Sequence, residues 1–370
     1  MISLQKKQKI ALIGFSLTRG GGDKVMANLS IFFENNGIEV HTIIILDGVT
    51  YPYSGKLVNL GLLKDESNGF ANKYKRLLFL RKYLKENDFD FIIDFRPRTK
   101  TLQELIISRL IYKTKTILTV HSFLIDYYMP KSKWLTKLIY NQNYATITIV
   151  DSVKNLIENK YQLKNVTTIP NPINLKEIEE KCKEEITIDF QYIIAVGQFE
   201  SPVKQYDKLI LSYSKSILPS KQIHLVILGR GDQEPLRNVA SDNHVLEYVH
   251  FLGFDANPYK YIKKALFLVL SSLNEGMPNV ILESLACQTP VIAFDCPSGP
   301  REMIIDEQNG LLVENQNLEK LSEAMNRLFL DQELYTNCKK NALASIQQFS
   351  LDTIGKQWLN LMKINTDSQN

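Results

Sequence analysis

The chain has 370 residues, 44% hydrophobic and 23% charged, a globular composition that argues against a fibrous or disordered protein. At roughly 150 residues per domain, this length predicts two or three domains. Net charge is only +4, yet residues 1–175 carry 25 Lys and Arg against 14 Asp and Glu, and the remainder 19 against 26. The first half is therefore expected to face something anionic: nucleic acid, a membrane surface or a phosphorylated substrate.

The N-terminal MISLQKKQKI runs directly into an apolar stretch and has no signal-peptide core. The longest strongly apolar run, ALFLVLSSL from Ala265 to Leu273, is too short to cross a bilayer as a helix. Cys182, Cys287, Cys296 and Cys338 form no metal-like pair, so reduced thiols in a cytoplasmic protein are expected.

In chain order, KIALIGFS, EVHTIIIL, DFIIDF, TKTILTVH and ATITIVD read as strands, with helical stretches between most of them. That alternation predicts a parallel sheet covered on both faces. The pattern pauses at Pro170-Asn171-Pro172 and a charged stretch ending near Asp189. It resumes with QYIIAVG, IHLVILG, VHFLGF, LFLVLSS, PVIAFD and GLLV, and FSLDTIGKQWLNLM after Phe349 reads as one amphipathic helix. The expected fold is α/β: two Rossmann-like doubly wound domains, residues 1–172 and 173–349, facing a central cleft. Residues 350–370 are expected to form a C-terminal helix and tail crossing back to the first domain. Ligands of such sheets bind outside the carboxyl ends of the strands, so motifs that follow strands are the candidates.

Gly20-Gly21-Gly22 follows the first strand and precedes a helix expected from about Asp23. Glycines let a ligand approach the backbone, and a helix start offers free N–H groups to an anion. GFSLTRGGG lacks the G-x-G-x-x-G dinucleotide fingerprint, and the third glycine is also missing after Gly229-Arg230-Gly231, so an NAD enzyme is disfavoured twice.

The stretch NEGMPNVILESLACQTPVIAFDCPSGPRE places Glu275 before a predicted helix, Pro278 to Cys287, and Glu283 within it. Pro278 suits the first helical position, with Val280, Ile281 and Leu285 packed inward. The first turn presents amides and partial positive charge. Glu283 lies a turn beyond Asn279 and leans back toward that end. Both carboxylates can therefore accept from the hydroxyls of one ligand. Asp88-Phe89-Asp90 precedes its strand rather than following it, so a sheet-end metal site is not expected there.

Arg96-Pro97-Arg98 follows DFIIDF, where two arginines either grip a phosphate bidentately or form a solvated loop. KSKWLTKLIY puts Trp134, Leu135, Leu138 and Ile139 on one helical side and Lys133 and Lys137 on another, which fits core packing or an anionic membrane surface. Ala71 to Lys85 is basic, without a clean apolar stripe.

The stretch EGMPNVILESLACQTPVIAFDCPSGPREM closely resembles the donor-binding region of family 4 glycosyltransferases, retaining enzymes of the two-domain GT-B fold. GGGDKV, IPNPIN, IIAVGQFESPVKQYDKLI, LVILGRGD and VHFLGF resemble further motifs of that family, so the likeness spans nearly the whole chain. By this resemblance Glu283 binds the ribose hydroxyls of a nucleotide. Glu275 lies by the donor sugar, and the Gly276, Met277, Pro278 and Asn279 segment lies near its hydroxyls and the diphosphate. Lys204 neutralises the diphosphate, Gly21 and Gly22 approach it from the first domain, Phe254 sits near the base and His121 near the transferred sugar.

The implied catalytic set is Glu275, His121 and Lys204. The implied reaction moves a hexose or N-acetylhexosamine from a nucleotide diphosphate sugar, with UDP favoured, to a saccharide or lipid-linked glycan of cell-surface polysaccharide biosynthesis. The donor is a co-substrate, and neither a cofactor nor a metal is expected. Charge on the departing nucleotide is met by Lys204, helix N-termini and glycine turns. Peripheral contact with an anionic membrane through the basic half is expected, at the inner face of the cytoplasmic membrane. No aromatic-basic module points to nucleic acid.

Three positions depart from the family pattern. Gln198, after Gly197 in the turn following QYIIAV, replaces a phosphate-binding Arg; Gln205 replaces the glycine after Lys204; Asp23 replaces a Glu. A sugar-nucleotide-binding relative without turnover and an epimerase of the same fold are the alternatives.

Overall fold

Residues 7–18, 20–66 and 69–365 are described by the computed structural model. The chain divides into two compact units, one running to Pro172 and taking in Leu351 onward, the other from Ile173 to Ser350.

The first unit contains β1 (Lys9–Gly14), β2 (Glu39–Ile44), β3 (Lys56–Asn59), β4 (Phe91–Asp94), β5 (Lys115–Val120), β6 (Ala145–Thr148) and β7 (Val166–Thr168). They form one parallel sheet in the order β3-β2-β1-β4-β5-β6-β7. The second contains β8 (Tyr192–Val196), β9 (His224–Leu228), β10 (Val249–Leu252), β11 (Leu268–Leu270), β12 (Val291–Phe294) and β13 (Gly310–Val313), again parallel, in the order β10-β9-β8-β11-β12-β13. Helices between the strands cover both faces, which is why strand stretches such as YIIA and VIAF are buried without alternation. In each sheet the winding reverses once, between β1 and β4 and between β8 and β11. Loops part at these switch points and leave crevices at the carboxyl ends.

The apolar runs predicted as strands all form strands. The sequence reading missed β3 and β7, which lie near or at the sheet's margins. KLVN and VTT are short and lack the apolar run of a doubly covered strand. The first helix spans Gly20–Asn35, so the glycines form its opening turn rather than a loop before it. Asp23 ties that turn to the end of β1, its carboxylate accepting from Ser16 Oγ at 2.5 Å.

The helix Leu351–Met362 crosses back into the first unit's core, where Ile354, Trp358, Leu359 and Met362 pack with Phe32 and Phe33. Its Gly355 is dictated by that packing. A Cβ there would stand 2.4 Å from a Phe32 ring carbon, so the helix accepts the roughly 1 kcal/mol cost of an internal glycine. Among the described residues, no helix is long and apolar enough to cross a membrane.

The Gly355→Val variant is expected to lose about 1–3 kcal/mol of stability through overpacking, measured as a lower urea midpoint. An unchanged midpoint would contradict the close approach to Phe32.

Candidate active site

In the second unit, the loops after β8 and β11 leave neighbouring strands at the switch point, and each delivers one charge. Lys204 Nζ lies 2.7 Å from Glu275 Oε1, and the same oxygen accepts from Ser272 Oγ at 2.6 Å. Both side chains are mostly buried, at 20% and 13% exposure, which strengthens a charge-assisted bond relative to one in open water. The backbone holds this register independently. Leu273 N donates to Val203 O at 2.8 Å, and Ser271 Oγ donates to Lys204 O at 2.7 Å.

Gly197 makes room for the lysine stem: a Cβ there would lie 2.6 Å from Tyr206 Oη and 3.1 Å from Lys204 Cε. Tyr206 Oη is buried without a hydrogen-bond partner, and burial plus the nearby Glu275 charge raise its pKa. Gln205 adopts a left-handed conformation with φ 50° and ψ 46°. A non-glycine side chain costs roughly 1–2 kcal/mol in that region, which fits the glycine that the family resemblance led one to expect here. Gln198, where the family pattern has a cation, is exposed.

The second helix of interest spans Asn279–Ala286. Pro278 caps it with ψ 101°, one position before the first helical residue, rather than opening it as expected. Val280, Ile281 and Leu285 are buried as expected, and so is Glu283, whose carboxyl group lies on the helix one turn in. The PSGP turn has a specific task that the sequence reading missed. Gly299 has φ +98°, and a Cβ on it would meet Pro278 Cδ at 2.7 Å and Gly276 O at 2.8 Å. Ser298 Oγ donates to Gly276 O at 3.0 Å, so the turn after β12 buttresses the loop carrying Glu275. A glycine between Ser and Pro was the available signal.

Phe254 follows β10 and is half exposed, with the Arg230 guanidinium carbon 3.6 Å from its ring centre. The two share a recess of about 510 Å³ with Phe199, Gly229, Gly231 and Phe251. Arg230 also joins the β8 loop, its carbonyl accepting from Phe199 N at 2.7 Å.

In the first unit, His121 directly follows β5 and stacks on Phe95 at 5.6 Å. A Cβ on Gly22 would be 3.9 Å from the imidazole, so two predicted site residues meet here. Burial, then the Arg98 charge, lower the His121 pKa to about 4 against a raising contact with Asn171, which leaves the ring neutral at pH 7.

Arg96 and Arg98, read as either a phosphate grip or a solvated loop, are engaged inside the protein. Both are buried. Arg96 donates to Asp94 at 3.0 and 2.7 Å and to Glu104 at 3.1 Å, while Tyr112 Oη donates to the same Asp94 at 3.0 Å. Arg98 donates to Tyr140 Oη and Arg96 O, each at 2.8 Å, and to Thr119 O. Burial alone would raise the Asp94 pKa, but the two guanidinium groups outweigh it and hold the carboxyl below its usual range. The arginines compensate a buried acid and clamp the loops after β4 and β5. Asp90, similarly, is occupied by backbone work, accepting from Lys9 N at 2.8 Å.

Residues 176–344 match the model of the family Glycosyl transferases group 1, and residues 19–177 match Glycosyltransferase Family 4. Between them the matches take in residues 19–344, and the chain belongs to the family 4 glycosyltransferases. It is 29% identical over 366 residues to the N-acetylgalactosamine-N,N'-diacetylbacillosaminyl-diphospho-undecaprenol 4-alpha-N-acetylgalactosaminyltransferase of Campylobacter jejuni subsp. jejuni, covering 95% of this chain and 98% of that one. It is 22% identical over 351 residues to the amylovoran biosynthesis glycosyltransferase AmsD of Erwinia amylovora, covering 93% and 96%. The crystal structure of Anabaena Alr3699/HepE in complex with UDP-glucose matches with a TM-score of 0.77 at 16% identity, covering 96% of this chain and 99% of that one. The GT-B fold is shared.

Replacing Arg96 by Met leaves Glu104 without its 3.1 Å guanidinium partner and Asp94 with only the Arg98 guanidinium, 4.0 Å away. It is expected to cost about 3–5 kcal/mol of stability, read from urea unfolding. A variant as stable as the parent would return Arg96 to the role of an uncommitted cation.

Proposed function

We propose that this chain is a retaining, metal-independent glycosyltransferase using a UDP-linked hexose or N-acetylhexosamine. The carrying observation is the Lys204–Glu275 pair at the switch point of the second sheet. An ammonium has three donors, so Lys204 can take on diphosphate oxygens as a donor binds. There it offsets the charge that grows as the bond from sugar C1 to the phosphate oxygen breaks. Glu283 receives the ribose hydroxyls and Glu275 the sugar hydroxyls, with the Gly276, Met277 and Asn279 amides beside them. Arg230, on the recess with Phe254, is assigned to stand in for the cation absent at Gln198.

The acceptor hydroxyl attacks C1 from the face the nucleotide leaves. Its proton passes to a phosphate oxygen and UDP departs, so configuration is kept without a covalent enzyme intermediate. The acceptor is assigned to the first unit, at the strand ends carrying His121 and Gly22. A neutral imidazole there can hydrogen-bond a sugar hydroxyl without adding charge. The HepE complex supports the uridine nucleotide.

The names of the Campylobacter and Erwinia relatives support a lipid-linked or polysaccharide acceptor. A peripheral position on the cytoplasmic face of a membrane agrees with the surface of the first unit. In the helix Phe70–Asn87, exposed Phe70, Tyr74 and Leu78 recur every four residues among exposed Lys73, Lys75, Arg81 and Lys82. Trp134 is 69% exposed beside Lys131 and Lys133, so it does not join the core as Ile139 does. Apolar side chains set among cations suit anionic lipid.

A panel of UDP- and GDP-sugars, scored by thermal unfolding, should give protection by a UDP-sugar through mass action. UDP release with that donor and a polyprenyl-diphosphate-linked glycan should then fall about 10²–10³-fold in Lys204→Met, and product NMR should show a retained anomer. Equal UDP release by the parent, Lys204→Met and Glu275→Ala would refute turnover at this site and leave a binding protein.

A further inference from the structure

Cys182 and Cys287 are 105 positions apart, yet their sulfurs lie 3.2 Å from one another. Cys182 ends the helix Leu175–Lys181, and Cys287 ends the helix Asn279–Ala286 that carries Glu283. These helices pack together and against Tyr259–Lys264, whose Tyr259 carbonyl oxygen lies 3.8 Å from each sulfur. Asn257 Nδ2 holds the carbonyl just before Cys182, donating to Lys181 O at 2.9 Å. Closing to a disulfide length of about 2.05 Å requires each sulfur to move by a fraction of an ångström.

The two thiols differ in a useful way. Cys182 is partly accessible, while Cys287 is buried. The hydrogen bond between them favours the thiolate at Cys182, with Lys263 adding to this against the effect of burial. The same bond and burial keep Cys287 protonated. Cys296 and Cys338, by contrast, are buried, with pKa values pushed up to about 11 mainly by burial. An accessible thiolate beside a buried partner thiol is the arrangement in which one sulfur is attacked and the other resolves.

We propose that Cys182 and Cys287 form an oxidation site that takes a low-molecular-weight disulfide and closes a reversible bond between the two helix ends. The Cys182 thiolate attacks one sulfur of oxidised glutathione, forming a mixed disulfide and releasing one glutathione. The Cys287 sulfur then attacks Cys182 Sγ, its proton leaving with the second glutathione. From the Cys182 thiolate and Cys287 thiol the protein loses two electrons and one proton, the first glutathione leaving as a thiolate that takes its proton from solvent, so one glutathione disulfide becomes two thiols. The proposal does not rest on the transfer reaction.

The dilute, fully reduced chain is treated with oxidised glutathione, alkylated under denaturing conditions and mapped by mass spectrometry. Two of the four thiols should be lost, with a Cys182–Cys287 peptide that dithiothreitol reverses. The Cys287→Ser variant should stop at a glutathione adduct on Cys182, and Cys182→Ser should keep its three thiols. Four surviving thiols in the parent, a bond to Cys296 or Cys338, an intermolecular bond, or thiol loss in Cys182→Ser would each overturn the proposal. The parent map decides the matter even where a variant folds poorly.

Discussion

The ion pair between Lys204 and Glu275 depends on a topological fact: β8 and β11 are neighbours although more than seventy residues separate their loops. Winding away in opposite directions, the connections leave the ends of both strands open at the same place. A lysine and a carboxylate brought there in partial burial hold each other; in the proposed function a ligand with both phosphates and hydroxyls offers each a new partner. The rest of the second unit serves that geometry. Gly197 clears the lysine stem, Gln205 tolerates a left-handed turn, and Gly299 with Ser298 braces the loop in front of the helix Asn279–Ala286.

The first unit places its charges differently. Asp94 ends a strand buried on both faces, where an ionised carboxylate survives only with close compensation. Arg96 and Arg98 supply it, and in doing so they fix the chain that leads to His121. The arginines therefore shape this face without being offered to solvent. The imidazole beside them is kept neutral by burial and by that same positive charge.

Much of this was legible in sequence because doubly covered parallel strands write themselves as apolar runs, and because glycine and proline mark the turns between them. Glu275, Glu283, Lys204, Gly197 and His121 could be singled out by their place after strands and by resemblance to a family. What escaped had a common cause: partners distant along the chain. Nothing near Arg96 announces Tyr112, nothing near Arg98 announces Tyr140, and the meeting of Cys182 with Cys287 depends on how three helices pack. The short strands β3 and β7 escaped because a margin strand needs no long apolar run. The role of Gly299 escaped because its close neighbours, Pro278 and Gly276, lie on another loop.

The most direct measurement is a crystal structure of the chain soaked or grown with UDP. Ribose oxygens should lie within hydrogen-bond distance, about 2.5–3.2 Å, of the Glu283 carboxylate, and a diphosphate oxygen on Lys204 Nζ. Ordered UDP seated elsewhere, with neither side chain touching it, would contradict the account.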